Sequence, residues 1–323
     1  MPYPTFDRNQ LDLKPLAERI NDLSRDIIIN LNDPIPKYEN EFLEILADRI
    51  ITAKANNATV MIMMGAHVIR SGVNLFLIDL LQKGYISLIG TNGACPIHDM
   101  EFAMIGETTE NVARYIQDGQ FGLWKESGKV NDAAMYAFDH NIGLGESIGK
   151  MIDDSPDEFP HHEISLFAAG FRLRIPITVH VGIGQDIVHE HPNFDGAAVG
   201  AASYRDFLTL AHYVQNLEGG VIINIGSAVM GPEVFLKALS MARNVAKQNN
   251  QVIKHFTSAV FDLVDLGPNL HSEAPKSNAI YYFRPYKTIL VRTVADGGES
   301  FYIQGNHRST IPHLHRLICQ KEV

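Results

Sequence analysis

The chain has 323 residues, 46% hydrophobic and 20% charged, which is ample apolar material for a large globular core and not the composition of a disordered protein. Lys and Arg total 27 against 37 Asp and Glu, a formal charge of −10 with no basic block, which argues against nucleic-acid partners. There is no basic start followed by an apolar segment, and no apolar run approaches the roughly 20 residues that span a bilayer, so a cytoplasmic protein without a membrane partner is expected.

Residues 1–37 are rich in proline and read as an arm draped over a neighbouring surface, with 38–323 as a single domain. Phe42, Leu43, Ile45, Leu46, Ile50 and Ile51 recur at helical spacing, and Asn56-Asn57 ends that pattern. A buried strand follows at 59–64, then a helix over about 70–83, a strand at 86–90, and helices from about 98 to 117 in which Thr108 is a plausible N-cap. Further buried strands are predicted at 175–181, 221–225 and 260–264, with helices near 196–216 and 231–249. Tyr281 to Phe283, Thr288 to Thr293 and Phe301 to Ile303 read as short β runs forming an edge hairpin. Alternation of buried strands and helices predicts an α/β fold, an open, mostly parallel sheet with helices on both faces.

Four of the predicted strands run into glycine: Met64-Gly65, Ile89-Gly90 with Gly93 just after, Val181-Gly182 and Ile225-Gly226. In an open parallel sheet the crevice beyond the carboxyl ends of the strands is the ligand site, and glycine there lets backbone N–H groups approach a ligand closely. Gly143-Leu-Gly145-Glu-Ser-Ile-Gly149 has the wrong spacing for a dinucleotide fingerprint and follows a helical segment, so helix packing is expected of it. Cys95 and Cys319 are too few for a disulfide framework and lack metal-knuckle spacing; Cys95 is expected to be a small buried thiol and Trp124 a core anchor. His313 and His315 are expected at the surface.

Gly65-Ala-His-Val-Ile-Arg-Ser-Gly72, Thr91-Asn-Gly-Ala94 with His98-Asp99, and Ile175-Pro-Ile resemble, in order and spacing, landmarks of the deoxyhypusine synthase family across about 60–245. The resemblance implies a Rossmann-like NAD-binding fold and a homotetramer with sites at subunit interfaces. It implies an NAD site lined by His67, Ser71, Thr91, Asn92, Gly93 and Asp99, to which the strand-end positions add Gly65, Gly226 and Ser227 as expected cofactor contacts. His67 stands where that family has asparagine. The segment Ile225-Gly-Ser-Ala-Val-Met-Gly-Pro-Glu233 resembles the stretch leading to the lysine that captures an aminobutyl group as an imine, and here Gly231 falls on that lysine. Neither glycine nor the adjacent proline can form a Schiff base.

His180, Asp186, His189 and His191 are crowded on a strand and the loop after it. Two chemistries suit such a set. His180, Asp186 and His189 can serve as acid/base and orienting groups toward a small substrate. Alternatively, His180, Asp186, His189 and His191 can ligate zinc or iron in a hydrolase or isomerase. The leading expectation is an NAD-dependent enzyme acting on a small amine- or hydroxyl-bearing substrate without a lysine imine; the other alternative is a nucleotide-binding protein without catalysis.

Overall fold

The computed structural model describes residues 3–267 and 270–321, so the first two residues of the arm and the last two of the chain lie outside it. Eight strands are present among the described residues: β1 (Asn21–Ser24), β2 (Val60–Met64), β3 (Leu88–Asn92), β4 (Glu107–Glu110), β5 (Ile177–His180), β6 (Val221–Ile225), β7 (Thr257–Asp262) and β8 (Glu299–Gln304). The helices are α1 (Glu41–Ala55), α2 (His67–Arg70), α3 (Asn74–Gln82), α4 (Ala94–Ile105), α5 (Val112–Tyr115), α6 (Lys129–His140), α7 (Leu144–Asp153), α8 (Leu166–Leu173), α9 (Gly196–Val214), α10 (Met230–Gln248) and α11 (His307–Gln320). Six strands form one sheet in the order β5-β3-β2-β6-β7-β8, and every pair in it is parallel.

Period-two burial on both faces explains why these strands are continuous hydrophobic runs. In β2, Val60, Ile62 and Met64 join the core beneath α1, α3 and α11, while Met61 and Met63 join a second core beneath α9 and α10. Numbered by occurrence, the strands run 3-2-1-4-5-6, so the order reverses between β2 and β6. The chain is thus an α/β protein with an open parallel, Rossmann-like sheet covered on both faces.

The free edge of β5 is closed by side chains of α9. Asp206 accepts the Val179 N–H at 2.8 Å, Ser203 Oγ donates to the Val179 carbonyl at 2.8 Å, and Ser203 Oγ accepts the Val181 N–H at 3.1 Å. An exposed row of ladder groups that could template aggregation is removed in this way.

Two expectations are corrected. Thr108 is not a helix cap: it lies in β4, antiparallel to β1 of the arm, and its hydroxyl is spent on Glu101 at 2.6 Å; Asn111 caps the helix that follows. No hairpin forms at 279–304. Residues 279–282 make a 3-10 turn, Pro285–Arg292 is a π-helix, and β8 pairs parallel to β7. The β-branched composition hid a helical spacing, with Tyr286, Ile289 and Leu290 packed into the second core. Ser258 and Ser300 hydroxyls cap the Ile289 and Leu290 carbonyls at 2.8 and 2.7 Å.

The described residues of the arm fold against the rest of the chain. Leu16 is buried, β1 pairs with β4, and Arg308 of α11 donates to the carbonyls of Ile27 and Ser71 at 2.6 and 2.7 Å. Arg19 forms a buried ion pair with Glu101 at 2.7 Å, both side chains 1% exposed, and Glu101 also accepts from Ser127 and Thr108. Removing one partner strands the other charge out of water, so Arg19→Ala is expected to cost about 3–5 kcal/mol in chemical denaturation. A loss under about 1 kcal/mol would show that water reaches Glu101 and the arm is not locked down.

Candidate functional site

Because the sheet is parallel, all six strands end on one edge, and the order reverses between β2 and β6, the place where open parallel sheets take their ligands in a crevice. Gly65 and Gly226 sit at its floor. The Gly65 N–H continues the ladder onto Ile225 at 3.2 Å, and a Cβ at 65 would collide with the Gly226 carbonyl. Gly226 is in the left-handed region at φ +55°, and a Cβ there would lie 2.8 Å from His307 Nε2. His67, on α2, is exposed at the rim, whereas His307, opening α11, is mostly buried. Burial lowers the pKa of both imidazoles.

Two buried polar atoms here have no hydrogen-bond partner, Asn224 Oδ1 and His307 Nδ1. Asn224 donates to the Ser227 carbonyl at 3.0 Å, while Ser227 Oγ accepts the Gly231 N–H at 2.9 Å and is thereby committed to the first turn of α10. A Cβ at Gly231 would run into Asn224 Oδ1 and lie 3.1 Å from Met63 Cβ. The close packing of α10 on β2 and β6 leaves no space at 231 for any side chain, let alone a lysine.

At the end of β3 the predicted residues divide. Thr91 is fully buried and donates to the Thr178 carbonyl at 2.9 Å. Asp99 is fully buried and caps α8, accepting from Ser165 Oγ at 2.5 Å and from the Leu166 and Phe167 amides at 2.9 and 3.3 Å. Neither side chain faces the crevice, a correction to the sequence expectation: an acid placed one turn into α4 points at the neighbouring helix instead of the strand ends. Ser71 Oγ donates to the His67 carbonyl at 2.6 Å, and Asn92 Oδ1 accepts from the Cys95 thiol at 3.1 Å. Cys95 is buried, as expected, and burial raises its pKa far above the ordinary thiol value.

Gly93 lies directly beneath the Asp186 carboxylate, which occupies the space a Cβ would fill at the start of α4. Desolvation pushes the Asp186 pKa up to about 6. His189 Nδ1 accepts the Gly184 and Asp186 N–H groups, each at 3.1 Å, which assigns its proton to Nε2. Gly93, Asp186 and His189 line one cavity of about 10 Å³, room for a single water. His180 ends β5 opposite Asn92, bonds Thr178 Oγ1 through Nε2 at 3.0 Å, and is drawn down to about 4 by burial.

His191 leaves the group. Its Nε2 meets the Gly122 carbonyl at 2.8 Å, and its ring is buried against the loop before α6. His180, Asp186, His189 and His191 therefore do not present ligand atoms to one point, and the zinc or iron alternative is not assembled: a strand residue and three loop residues face different neighbours. What is assembled is an acid titrating near neutrality beside an imidazole N–H donor.

A cavity of about 700 Å³ lies elsewhere, at the amino end of β5 among Glu146, Phe171, Arg174, Pro176 and Tyr213. We place the site at the strand ends nonetheless, because the unpartnered polar atoms and the chain reversal coincide there. Asp206 sits at that cavity's inner wall, accepts the Gly145 N–H at 3.0 Å, and has its pKa pushed up to about 7 by burial. Gly145 and Gly149 press on the carbonyls of Ile177 and Phe167, so the glycine series is helix packing, as expected.

His307 and Asn224 were not predicted. The signal for His307 was Gly305-Asn306-His307 directly after β8, the same strand-to-glycine pattern found elsewhere, obscured by reading 279–304 as a hairpin.

No family model and no curated relative matches the sequence. Among solved structures, AgrE in complex with L-arginine aligns over 88% of this chain and 34% of its own at 14% identity and a TM-score of 0.50. A provisionally assigned LOR/SDH protein from Methanococcus maripaludis aligns over 90% of this chain and 72% of its own, at 12% identity and a TM-score of 0.50. A chain from Entamoeba histolytica provisionally described as a deoxyhypusine synthase gives 10% identity and a TM-score of 0.43, a likeness too slight to carry weight. AgrE and the LOR/SDH protein share an α/β fold with this chain, which spans about a third of AgrE. No helix among the described residues is long and apolar enough to cross a membrane.

Because the Asp186 pKa is raised in the fold, its acid form favours folding. That contribution is fully present below the unfolded value near 4 and is lost as pH rises through about 6. Asp186→Asn removes the ionisation, so the variant should gain on the wild type between about pH 4 and 7, by roughly 2–3 kcal/mol. Denaturant midpoints at several pH values measure this; a difference independent of pH would mean that Asp186 is solvated.

Proposed function

We propose that the crevice between β2 and β6 binds NAD and that the chain is an NAD-dependent enzyme acting on a small amine- or hydroxyl-bearing substrate. The observation that supports this most is the reversal of strand order at Gly65 and Gly226, with Asn224 Oδ1 and His307 Nδ1 unpartnered beside it. The glycines carry no side chain over the strand ends, and His307 Nδ1 beside Gly226 is a buried polar atom with no partner, which supports a ligand there. His67, Asn92, Gly226 and the Ser227 main chain would hold it; Gly65 shapes the floor, Ser71 steadies α2 and Gly93 makes room for Asp186. NAD would supply hydride acceptance.

In this reading Asp186 takes the proton from the substrate's hydroxyl or ammonium group, His189 Nε2–H orients it, and neutral His180 completes the wall. No lysine adduct forms, because Gly231 has no room for one. AgrE has been described with ornithine and NAD+, which makes amino acids carrying a side-chain amine reasonable first probes. The exposed apolar side chains Tyr204 and Leu208 on α9 and Met241 and Val245 on α10 favour a homo-oligomer, with a tetramer expected in light scattering.

Millimolar NAD should raise the melting temperature, since a ligand at ~100 times its dissociation constant adds roughly 2.7 kcal/mol. Asp186→Asn should keep that shift while turnover falls about 10²- to 10⁴-fold. A protein purified free of nucleotide whose melting NAD does not move would overturn the reading. Binding without turnover on any amine or alcohol would reduce it to a nucleotide-binding protein.

A further inference from the structure

A second cluster lies away from the crevice, where α11 packs on α3. His315 and Cys319 occupy successive turns of α11, and Asp79 faces them from α3. His315 Nε2 lies 2.6 Å from Asp79 Oδ2 and 3.6 Å from Cys319 Sγ, and Cys319 Sγ lies 4.0 Å from Asp79 Oδ2. Among the described residues this is the one group of three or more His, Cys, Asp or Glu side chains whose ligand atoms converge within 4.8 Å. His315, expected at the surface, is buried, with its ring edge-on to Phe76 at 5.2 Å.

The arrangement is wrong for a catalytic triad. In a triad the acid and the nucleophile take opposite nitrogens of the imidazole. Here both face Nε2, and Nδ1 is buried with no partner. Three atoms meeting at one point suit a cation, and a cation is already there: Lys83 Nζ lies 2.5 Å from Asp79 Oδ2 and 3.4 Å from Cys319 Sγ. Lys83 is exposed and free to swing into water. Tetrahedral zinc with bonds of about 2.0–2.3 Å separates its ligand atoms by about 3.3–3.6 Å, so the imidazole and carboxylate need open by only about 0.7 Å.

We propose that Asp79, His315 and Cys319 bind one divalent ion of the zinc class, with water as the fourth ligand. Binding expels the Lys83 ammonium to solvent and releases the Cys319 thiol proton, and it clamps the last helix to the first crossover helix. Nitrogen, oxygen and thiolate donors in a small site select zinc over magnesium or calcium.

The test is titration of the full chain with cobalt(II) as a spectroscopic stand-in and with zinc against a chromophoric chelator. One equivalent should bind, with tetrahedral d–d bands and a thiolate charge-transfer band. Cys319→Ser should abolish that band and weaken binding by more than about 100-fold, beyond what loss of an outer-shell partner costs. Lys83→Met should tighten binding, since it removes the competing ammonium and no ligand. No thiolate band in either the wild type or Lys83→Met overturns the proposal, as does undiminished affinity in Cys319→Ser, which would place the metal on other histidines. Both variants should leave NAD-dependent melting unchanged, so this outcome is separable from that of the crevice.

Discussion

The close approach of β2 and β6 is the constraint on which the crevice depends. The strands are paired in register through Met64 and Ile225, and the next residues on each are glycines whose missing side chains let the two ends stay together. A side chain at either position would part them or displace His307. The same crowding continues into α10, where Gly231 lets the helix settle on Asn224 and Met63. Absence of a lysine at 231 is thus part of how the helix meets the sheet, and the floor would have to be rebuilt to hold an imine-forming side chain.

Around that floor, helix amino ends are occupied by the protein's own carboxylates. Asp99 caps α8, Asp206 reaches the first turn of α7, and Asp186 rests on Gly93 at the start of α4. An amino end favours an anion through its unpaired N–H groups and the helix dipole, and each of these has been given one from within. A ligand phosphate would therefore find α4, α7 and α8 taken. The Gly65 and Gly226 N–H groups are spent on the Ile225 and Phe261 carbonyls, so a nucleotide at the reversal point would depend on the side chains around those glycines.

The sequence was most legible where burial alone decides structure. β2 and β6 are buried on both faces, so hydrophobic runs ending in glycine located them to within a residue. It was least legible where side chains compete for backbone groups. Thr108 reads as a cap by residue type, yet its hydroxyl belongs to a buried network with Glu101 and Arg19 that only the folded arm creates. The π-helical segment was misread because Thr288, Ile289 and Val291 favour strands, whereas its geometry is set by hydroxyls from β7 and β8. At the site, the clustering of His180, Asp186 and His189 was visible in the chain. The direction of each ring was not, since it depends on loop amides and carbonyls distant in sequence, and that is why His191 left the group.

The three buried aspartates differ in how their burial is compensated. Asp99 is held by one hydroxyl and two amides, and Asp206 by amides of α7 and β5. Asp186 has the His189 amide of its own capping turn, and burial alone governs its pKa. A carboxylate desolvated with so little compensation costs stability when ionised, and a scaffold residue at the same place would be better as asparagine. The cost becomes intelligible if the group must exchange a proton near neutral pH. Asp99 and Asp206 are thus accounted for by the helices they cap, whereas the sparse partnering of Asp186 is what supports the proton-transfer role proposed for it.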